Sequence, residues 1–480
     1  MALSRTCIIC DNAAGSGEHI FPAALGGRRT NKGIYCTKHD GGFSPLVNAL
    51  ATQMRMLNGQ LEVVNDHRKR EGFVPPTIKA ADGTTYAIAG GALVPQRVRV
   101  INRTLGPDGI EQLQLAVPES LIGRLDDLAR NGEIEIRTRG EPVPAVQSDA
   151  IHFQLQFGGP RFLAGVAYVA MSYLAKFHPD LARQQETGLA ALKASLLVAA
   201  AERDDQKVEM PDCVWWETPE VLAALPASPF RFSHSIVVST DSARRRAGAY
   251  LCLFGTFCFG VDFGEFAAGV VDRTTVVHLN PQAPHPPDDQ LELPPLSQAL
   301  AIAAPKPSAT ENLRKAIQDG TAQKYVTLFL ERAKDWQIEG SARQLLDAVS
   351  SIALERLQTP VGRQVVHKLM EEHNQQVYGL MCEFVGRLPS HLDLGPIAPL
   401  LRSFVARDDA KPTGLTDLAA SNLYVAKAFL AEAFVAERLA GSLTLEKAKR
   451  LLAGTDGVAV VGEAIMTPIR EVARSLEGPR

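Results

Sequence analysis

The period of hydrophobic and polar positions changes several times along the chain, and each change marks a predicted element. Between residues 73 and 157, apolar or β-branched residues alternate with polar ones in short runs, as in half-buried strands. Gly- and Asp-containing turns separate these runs. The predicted strands are Tyr86–Ile88, Gln96–Asn102, Glu111–Val117, Glu133–Thr138 and Ile151–Phe157, and a short helix, Pro118–Arg130, interrupts them.

Apolar residues recur every three or four positions in three further stretches of the first 280 residues, which is helical spacing. Phe43–Leu57 and Pro179–Glu202 predict amphipathic helices. Phe162–Phe177 is apolar on all sides and therefore predicts a helix inside the core.

Residues 230–279 return to strand patterns. Phe230–Thr240 alternates, Tyr250–Phe263 predicts a long strand or one arm of a hairpin, and Thr274–Leu279 predicts another strand. Strands followed by helices and again by strands indicate α+β packing for the central region.

The last third of the chain has helical periodicity almost throughout. Ser308-x-x-Glu311 has the sequence of a capping box, Pro360 follows Thr359 at a predicted helix start, and Leu418–Leu439 predicts a long helix. Eight prolines lie just before this region, and proline at such density predicts a semi-rigid linker. The sequence therefore predicts a multidomain α+β protein, with a small domain at 1–72, a central α+β domain at 73–280, a linker at 281–307 and an all-helical domain at 308–480.

Composition narrows the class of protein. The 480 residues suggest about three domains, and 46% hydrophobic with 21% charged residues is typical of soluble globular chains. A net charge of −3 excludes a generally basic nucleic-acid carrier, although residues 1–70 carry nine Lys or Arg against five Asp or Glu. There is no signal or transit pattern at the N-terminus and no run apolar enough to span a membrane, and four cysteines are scattered in apolar contexts. We therefore expect a cytoplasmic protein without membrane association.

The strongest chemical signal lies between residues 7 and 48. Cys7 and Cys10 form a C-x-x-C pair, and Cys36 precedes His39 by three positions. Zinc takes thiolate and imidazole ligands tetrahedrally, and each short gap lets one turn present two ligands to the same ion. These four residues therefore predict a structural Zn²⁺ site.

Between the two pairs stand Glu18-His19-Ile20-Phe21-Pro22 and Leu25-Gly26-Gly27. In this order, the motifs resemble those of the HNH endonucleases, specifically the zinc-stapled subgroup with C-x-x-C, E/D-H-I-x-P, L-G-G and a second cysteine pair. The resemblance covers about a tenth of the chain. The sequence departs from the subgroup at His39, which stands in place of a fourth cysteine, and at Asp40, which stands in place of the closing Asn or His.

The resemblance implies a ββα-metal domain, made of two strands and a helix around a metal, that hydrolyses phosphodiester bonds. His19 would be the general base, and Glu18 with Asp40 would hold a catalytic divalent ion. Two carboxylates favour Mg²⁺ or Mn²⁺, which prefer oxygen ligands. Asn31 would be the middle Asn of the family name. Four basic residues are expected to meet the phosphates of nucleic acid, with DNA the expected substrate: Arg28, Arg29, Lys32 and Lys38.

Two alternatives of other classes stay open. In one, residues 1–72 form a non-catalytic zinc module that binds nucleic acid or protein. In the other, the chain is an interaction scaffold whose helical C-terminal region forms a homo-oligomer or recruits a partner protein. A nuclease domain on a long body also resembles the layout of anti-phage defence effectors, an analogy of architecture alone.

For several further residues, a structural role is expected rather than a functional one. His152 and His234 lie on alternating faces and are expected to be core or rim histidines, and His285 has no partner pattern. Arg244-Arg245-Arg246 is expected to be a solvated turn, and Trp215-Trp216 is expected to be one buried and one covering residue rather than a base-stacking platform. Asp40 could instead only cap the helix that follows it.

Overall fold

The fold is mixed α/β, with 55% helix, 17% strand and an all-helical C-terminal region. It was obtained as a computed structural model. The described residues are 6–10, 12–64, 74–79, 85–89, 92–96, 98–105, 111–117, 119–136, 158–184, 188–204, 207–209, 213–266, 270–282, 290–296, 309–387 and 415–476.

The described strands and helices are numbered in chain order. The strands are β1 (Glu18–His19), β2 (Thr30–Asn31), β3 (Thr77–Lys79), β4 (Thr85–Ala89), β5 (Ala92–Pro95), β6 (Arg99–Leu105), β7 (Glu111–Ala116), β8 (Val214–Glu217), β9 (His234–Asp241), β10 (Arg246–Leu253), β11 (Phe257–Glu265), β12 (Arg273–Leu279) and β13 (Gln290–Glu292). The helices are α1 (Thr37–Gly42), α2 (Ser44–Gln53), α3 (Arg55–Gln60), α4 (Glu119–Arg130), α5 (Pro160–Phe177), α6 (Pro179–Arg183), α7 (Gly188–Ala201), α8 (Ala309–Gln318), α9 (Thr321–Ser350), α10 (Leu354–Leu357), α11 (Pro360–Met370), α12 (Asn374–Arg387), α13 (Leu415–Leu439), α14 (Leu445–Ala453) and α15 (Thr455–Leu476).

The chain divides into two compact units. The first unit comprises Met1–Ile78, Ala87–Gly91 and Gln154–Arg332. The second comprises Lys79–Tyr86, Ala92–Phe153 and Ala333–Arg480. The predicted zinc region thus belongs to the same compact unit as most of the predicted central domain.

An antiparallel six-stranded sheet, in the order β13-β12-β9-β10-β11-β8, is the largest sheet of the first unit. The predicted Tyr250–Phe263 element is a hairpin, with β10 and β11 joined by a tight turn. Phe254 and Gly255 occupy that turn at φ of 56° and 61°. The Arg332 guanidinium donates to both of their carbonyl oxygens, each at 3.3 Å, and so fixes the turn.

Helix α5 is the core helix of the first unit, as its all-round apolar pattern predicts. Fourteen of its residues are buried. It packs against α2 on one side and against the sheet on another, where the ring of Phe162 meets Phe259 edge-on at 5.4 Å. A Cβ added at Gly165 would lie 2.8 Å from the carbonyl oxygen of Leu46, so this position needs glycine for α2 to approach.

Residues 6–64, which we call the N-terminal module, contain the hairpin β1–β2 followed by α1, α2 and α3. Glu18 pairs with Asn31, and His19 pairs with Thr30. The predicted Phe43–Leu57 helix is interrupted at Met54, which separates α2 from α3.

Other predicted boundaries also shift. The predicted single helix Pro179–Glu202 is wrong, since two helices, α6 and α7, occupy this stretch. Helical spacing of apolar residues can continue across a break between two helices. The Glu133–Thr138 strand is wrong for its described part, where residues 133–136 form no strand. Ile151–Phe157 lies outside the described residues. Within the predicted 281–307 linker, Leu291 of β13 pairs with His278 of β12.

The helical region of the second unit is organised around one apolar core. Buried side chains from all seven helices α9 to α15 form it, and Phe434 is one of its fully buried members. Helix α11 starts at Pro360, as predicted, and the Thr359 hydroxyl accepts a hydrogen bond from the Gly362 N–H at 3.2 Å. Within the described part of the chain, no helix has the length and apolarity to cross a membrane.

Candidate metal centre

The four predicted zinc ligands converge on one point. Their ligand atoms all lie within 4.8 Å of one another. The His39 Nδ1 is 3.5 Å from the Cys7 Sγ and 3.4 Å from the sulfurs of both Cys10 and Cys36. The Cys10 and Cys36 sulfurs are 3.9 Å apart.

These distances fit the edges of a tetrahedron around zinc. Bond lengths of about 2.3 Å to sulfur and about 2.0–2.1 Å to nitrogen place neighbouring ligand atoms about 3.5–3.8 Å apart. The three sulfur–nitrogen separations and the separation of the Cys10 and Cys36 sulfurs are close to this spacing. The four residues therefore form a cluster that could hold a metal ion such as zinc.

Local backbone hydrogen bonds present the ligands in two turns. The Cys7 N–H donates to the Asn12 carbonyl at 2.8 Å and closes the first turn. Cys36 stands immediately before α1, and the His39 N–H donates to the Cys36 carbonyl at 3.0 Å. The first turn of α1 therefore brings His39 back over Cys36, which explains why the three-residue offset works.

The charge around the cluster suits a metal with three thiolates. Three thiolates and a neutral imidazole leave one negative charge on a Zn²⁺ complex, and burial lowers the pKa of His39, which favours its neutral form. Lys193 of α7 is only 4% exposed. Burial lowers the pKa of Lys193 to about 8, while the negative charge of Cys7 acts in the opposite direction.

Asp40 lies inside α1, and its carboxylate accepts a hydrogen bond from the Ser16 hydroxyl. The start of α2 follows Phe43 and carries no side-chain cap among the described residues, so the capping interpretation of Asp40 is wrong. Ser16 is itself held in place, since its N–H and that of Gly15 both donate to the Tyr35 carbonyl, at 3.3 and 3.1 Å. Burial raises the pKa of Asp40.

Glu18 and His19 occupy the whole of β1, two and three residues after Ser16. His19 is partly exposed, and the side chain of Glu18 lies outside the described part of the structure. Asn31, on β2 opposite Glu18, accepts a hydrogen bond from the Gly33 N–H at 2.7 Å and so steadies the end of the hairpin. Among the described side chains, the Cys/His cluster is the one group of at least three adjacent metal-binding residues.

The four basic residues predicted to meet phosphates lie on or next to the hairpin and on α1. Arg28 is half-buried, whereas Arg29, Lys32 and Lys38 are exposed. Their exposure leaves them accessible, and their role in binding nucleic acid stays a prediction.

Sequence reasoning missed the residues of α5 that meet the N-terminal module. The Tyr35 hydroxyl is 3.0 Å from the Ser172 hydroxyl, and the Tyr168 ring stacks on Tyr35 with centroids 5.6 Å apart. Arg183 of α6 donates to the carbonyls of Thr6 and Gly33, both at 2.9 Å. Polar residues within an apolar helical pattern were the available signal, but Ser172 lies 137 residues from its partner Tyr35.

The weaker sequence candidates have structural roles where they are described. His234 is fully buried: its Nε2 lies 3.1 Å from the Leu25 carbonyl, and its Nδ1 accepts from the Phe254 N–H at 3.2 Å. This confirms a core histidine. The expected division of Trp215 and Trp216 into one buried and one covering residue is wrong, since both are buried.

The remaining candidates add no site. Arg244 and Arg245 are exposed, in the turn between β9 and β10, as expected of a solvated turn. For Arg246 the prediction is wrong, since this residue begins β10 and pairs with Asp262. His152, His285 and Ser308 lie outside the described residues. All seven cysteines are described, and none forms a disulfide bond. Comparison of the whole chain with protein-family models, curated proteins and solved structures finds no match.

Proposed function

We propose that the protein is a metal-dependent endonuclease of the HNH type that hydrolyses phosphodiester bonds in nucleic acid, with DNA as the expected substrate. The observation that carries this proposal is the contact between Ser16 and Asp40. It brings the α1 carboxylate to the segment that continues directly into Glu18 and His19, beside a cluster suited to structural zinc. The order of two strands and a helix supports the same proposal.

The residues would divide the work as follows. His19, partly exposed at the end of β1, would accept a proton from the attacking water. Asp40 and Glu18 would hold a divalent ion, which supplies charge neutralisation at the scissile phosphate and the leaving 3′ oxygen. Because the Ser16 hydroxyl occupies Asp40 Oδ2, the other carboxylate oxygen is the one left for the ion.

Cleavage of supercoiled plasmid tests the proposal directly. Zinc-loaded protein should nick or linearise the plasmid when Mg²⁺ or Mn²⁺ is added and should be inactive without them. His19→Ala should abolish cleavage while retaining one zinc per chain and the same thermal midpoint. The matched control is His367→Ala on α11, a half-buried histidine paired with Glu432, which should cut normally. If His19→Ala cleaves plasmid at the wild-type rate, His19 is not the general base and the proposed mechanism is refuted.

Metal preference tests the two-carboxylate arrangement. Asp40→Ala should sharply raise the Mn²⁺ concentration needed for cleavage. Asp40→His should restore activity and move the preference toward Ni²⁺, because imidazole suits softer ions. An unchanged metal requirement in Asp40→Ala would exclude Asp40 from the site.

The second candidate is a non-catalytic zinc module, favoured by the way the N-terminal module is built into the first unit. Arg183 and Ser172 contact it through buried or partly buried hydrogen bonds, as expected if zinc serves folding alone. Under this alternative, the zinc-loaded protein cuts no plasmid with any divalent ion, and His19→Ala changes nothing. The defence-effector layout belongs to the first candidate, and activity should then depend on the helical region.

A further inference from the structure

One cysteine of the candidate metal centre is more accessible to solvent than the other two. Cys7 and Cys36 are 3% and 6% exposed, whereas Cys10 is partly exposed. The Cys10 and Cys36 sulfurs are 3.9 Å apart. The cluster therefore places an accessible sulfur directly beside a protected one.

Zinc binding would hold these cysteines in the reactive form of the thiol. Cysteine binds a metal as the thiolate, and the thiolate is also the form that attacks peroxides. Reactivity toward an oxidant follows exposure, so we expect Cys10 to react first. The Cys7 sulfur is buried and accepts a hydrogen bond from the Ile9 N–H at 3.5 Å, so we expect it to react more slowly.

Cys36 is near enough to complete a reaction that begins at Cys10. A disulfide has a sulfur–sulfur bond of about 2.05 Å, so the two sulfurs, 3.9 Å apart, must approach by about 1.9 Å. A change of side-chain rotamer moves a cysteine sulfur farther than this. The bond can therefore close without a large movement of the backbone.

We propose that Cys10 is a site of oxidation by hydrogen peroxide, and that Cys36 converts the oxidised Cys10 to a disulfide with release of the zinc. The Cys10 thiolate attacks one peroxide oxygen, the O–O bond breaks, and hydroxide leaves. The Cys36 thiolate then attacks the Cys10 sulfur, the S–S bond forms, and the S–O bond breaks to release a second hydroxide. The two thiolates lose two electrons, and the peroxide gains them.

The disulfide takes two of the four ligands and leaves Cys7 and His39. Structural zinc is held by four ligands, so the ion is released when two remain. The first turn of α1, which carries His39 and Asp40, then loses its link through the metal to Cys7. An effect of oxidation on cleavage rests on the proposed function of Asp40, whereas the disulfide and the zinc release do not.

A second cysteine pair of the first unit provides a contrast. Cys252 and Cys258 lie opposite each other on β10 and β11, and they are 2% and 0% exposed. Burial raises the pKa of Cys258 well above its ordinary value, so this thiol stays protonated. Cys382 is partly exposed, and burial raises its pKa as well. Neither proximity nor partial exposure alone should therefore lead to oxidation.

The experiment treats the full-length, zinc-loaded protein with stepwise additions of hydrogen peroxide. Released zinc is measured with a chromogenic chelator. The remaining thiols are alkylated in denaturant, and the protein is digested with trypsin without reduction. Trypsin separates the first ligand pair, on peptide 6–28, from Cys36, on peptide 33–38. Fragmentation between the two cysteines of peptide 6–28 shows which of them is cross-linked.

One zinc should be released for each Cys10–Cys36 disulfide that forms. Cys252, Cys258 and Cys382 should still be alkylated at the peroxide concentration that empties the cluster. Dithiothreitol with added zinc should restore one bound zinc per chain, because a disulfide is reduced by thiol exchange whereas a sulfinic acid is not.

Two ligand exchanges provide matched variants. Cys7→His and Cys10→His each keep four ligands, because zinc accepts imidazole as well as thiolate. Cys7→His retains the Cys10–Cys36 pair and should release zinc within about twofold of the wild-type rate. Cys10→His removes the accessible thiol and should release zinc at least about tenfold more slowly. If either variant fails to bind zinc, the linkage mapped in the wild-type protein decides the question.

The inference is overturned if peroxide leaves the zinc bound, if the disulfide joins Cys7 to another ligand, or if Cys10 ends as a sulfinic acid. Oxidation of Cys382 before the cluster, or a wild type that holds no zinc, would also overturn it. The proposed nuclease fails separately. A protein that forms this disulfide but leaves DNA intact with every divalent ion would refute cleavage and retain the oxidation site.

Discussion

The N-terminal module and the helical region of the second unit bury their side chains in different ways. The module combines a few aromatic residues with a cluster of three thiols and an imidazole. It contacts α5 through the buried hydroxyls of Tyr35 and Ser172. Helices α9 to α15 of the second unit share one apolar core, and their ion pairs lie mainly on half-exposed or exposed side chains. A metal ion held by the thiols and imidazole would thus add to the stability that apolar packing gives the module, whereas the helical region has apolar packing without such a cluster among its described residues.

The largest expected effect is that of removing a zinc ligand. Cys36→Ser should eliminate bound zinc and unfold the N-terminal module, because structural zinc can contribute on the order of 10 kcal/mol to folding. Hydrogen exchange followed by mass spectrometry should show lost protection in the module and in α5, with the helical region unchanged. The matched control, Cys213→Ser, removes a half-buried thiol outside the cluster and should retain zinc. A zinc-free wild type with full protection would contradict the comparison.

The next largest effect is expected in the helical region, when its apolar core loses a buried side chain. Phe434→Ala should destabilise the helical region by about 3–5 kcal/mol, since it leaves a cavity in a fully buried position. Exchange protection should fall in α11 to α15, and the protein should still hold one zinc. Tyr424→Ala on the same helix, 68% exposed, should change stability by less than about 0.5 kcal/mol. Zinc loss in Phe434→Ala would show that the two regions are not energetically separate.

A pH effect should distinguish the first unit. Burial lowers the pKa of His234 to about 3, so the folded state prefers neutral imidazole while the unfolded chain is protonated below about 6.5. The stability from neutral His234 is therefore present above pH 6.5 and is lost as pH falls toward 3. The loss should be about 1.4 kcal/mol per pH unit in this window.

His234→Gln provides the measurement, because glutamine keeps a donor for the Leu25 carbonyl but does not titrate. Chemical denaturation between pH 7 and pH 4.5 should give a shallower loss of stability in the variant than in wild type. Zinc ligands also take up protons in this range, but they do so equally in both proteins. Parallel pH profiles would refute the role of His234.

The smallest effect concerns one helix end. Thr359→Ala should cost about 1 kcal/mol, because the first turn of α11 loses its side-chain acceptor. Thr359→Ser keeps the hydroxyl and should cost much less. Faster exchange at the Gly362 amide in Thr359→Ala but not in Thr359→Ser would check the cap, and equal exchange in both would contradict it.

Local signals predicted the elements and one cluster well. These signals depend on residues that are near one another in sequence, so the sequence pattern predicts them. They are the apolar period of α5, the helix start at Pro360 and the spacing of Cys7, Cys10, Cys36 and His39. Helix interruptions such as that at Met54 were not predictable, because helical spacing continues across the break.

Contacts between distant segments could not be predicted from the sequence. Ser16 and Asp40 are 24 residues apart, and Tyr35 and Ser172 are 137 apart, with no periodic pattern joining either pair. The Tyr168 hydroxyl lies inside an apolar helix, where an aromatic residue is expected on packing grounds alone. Its packing against the Tyr35 ring follows from the arrangement of α5 against the N-terminal module, which the sequence does not encode locally.

The close approach of α5 and α2 at Gly165 limits how this protein can be divided or recombined. A fragment ending near residue 72 would expose Tyr35, Phe43 and Leu46, which α5 covers in the intact chain. Such a fragment should aggregate even when zinc is supplied. A chimera that moves the N-terminal module to another body should succeed only if α5 moves with it, so the unit of exchange between proteins is the module together with the helix that supports it.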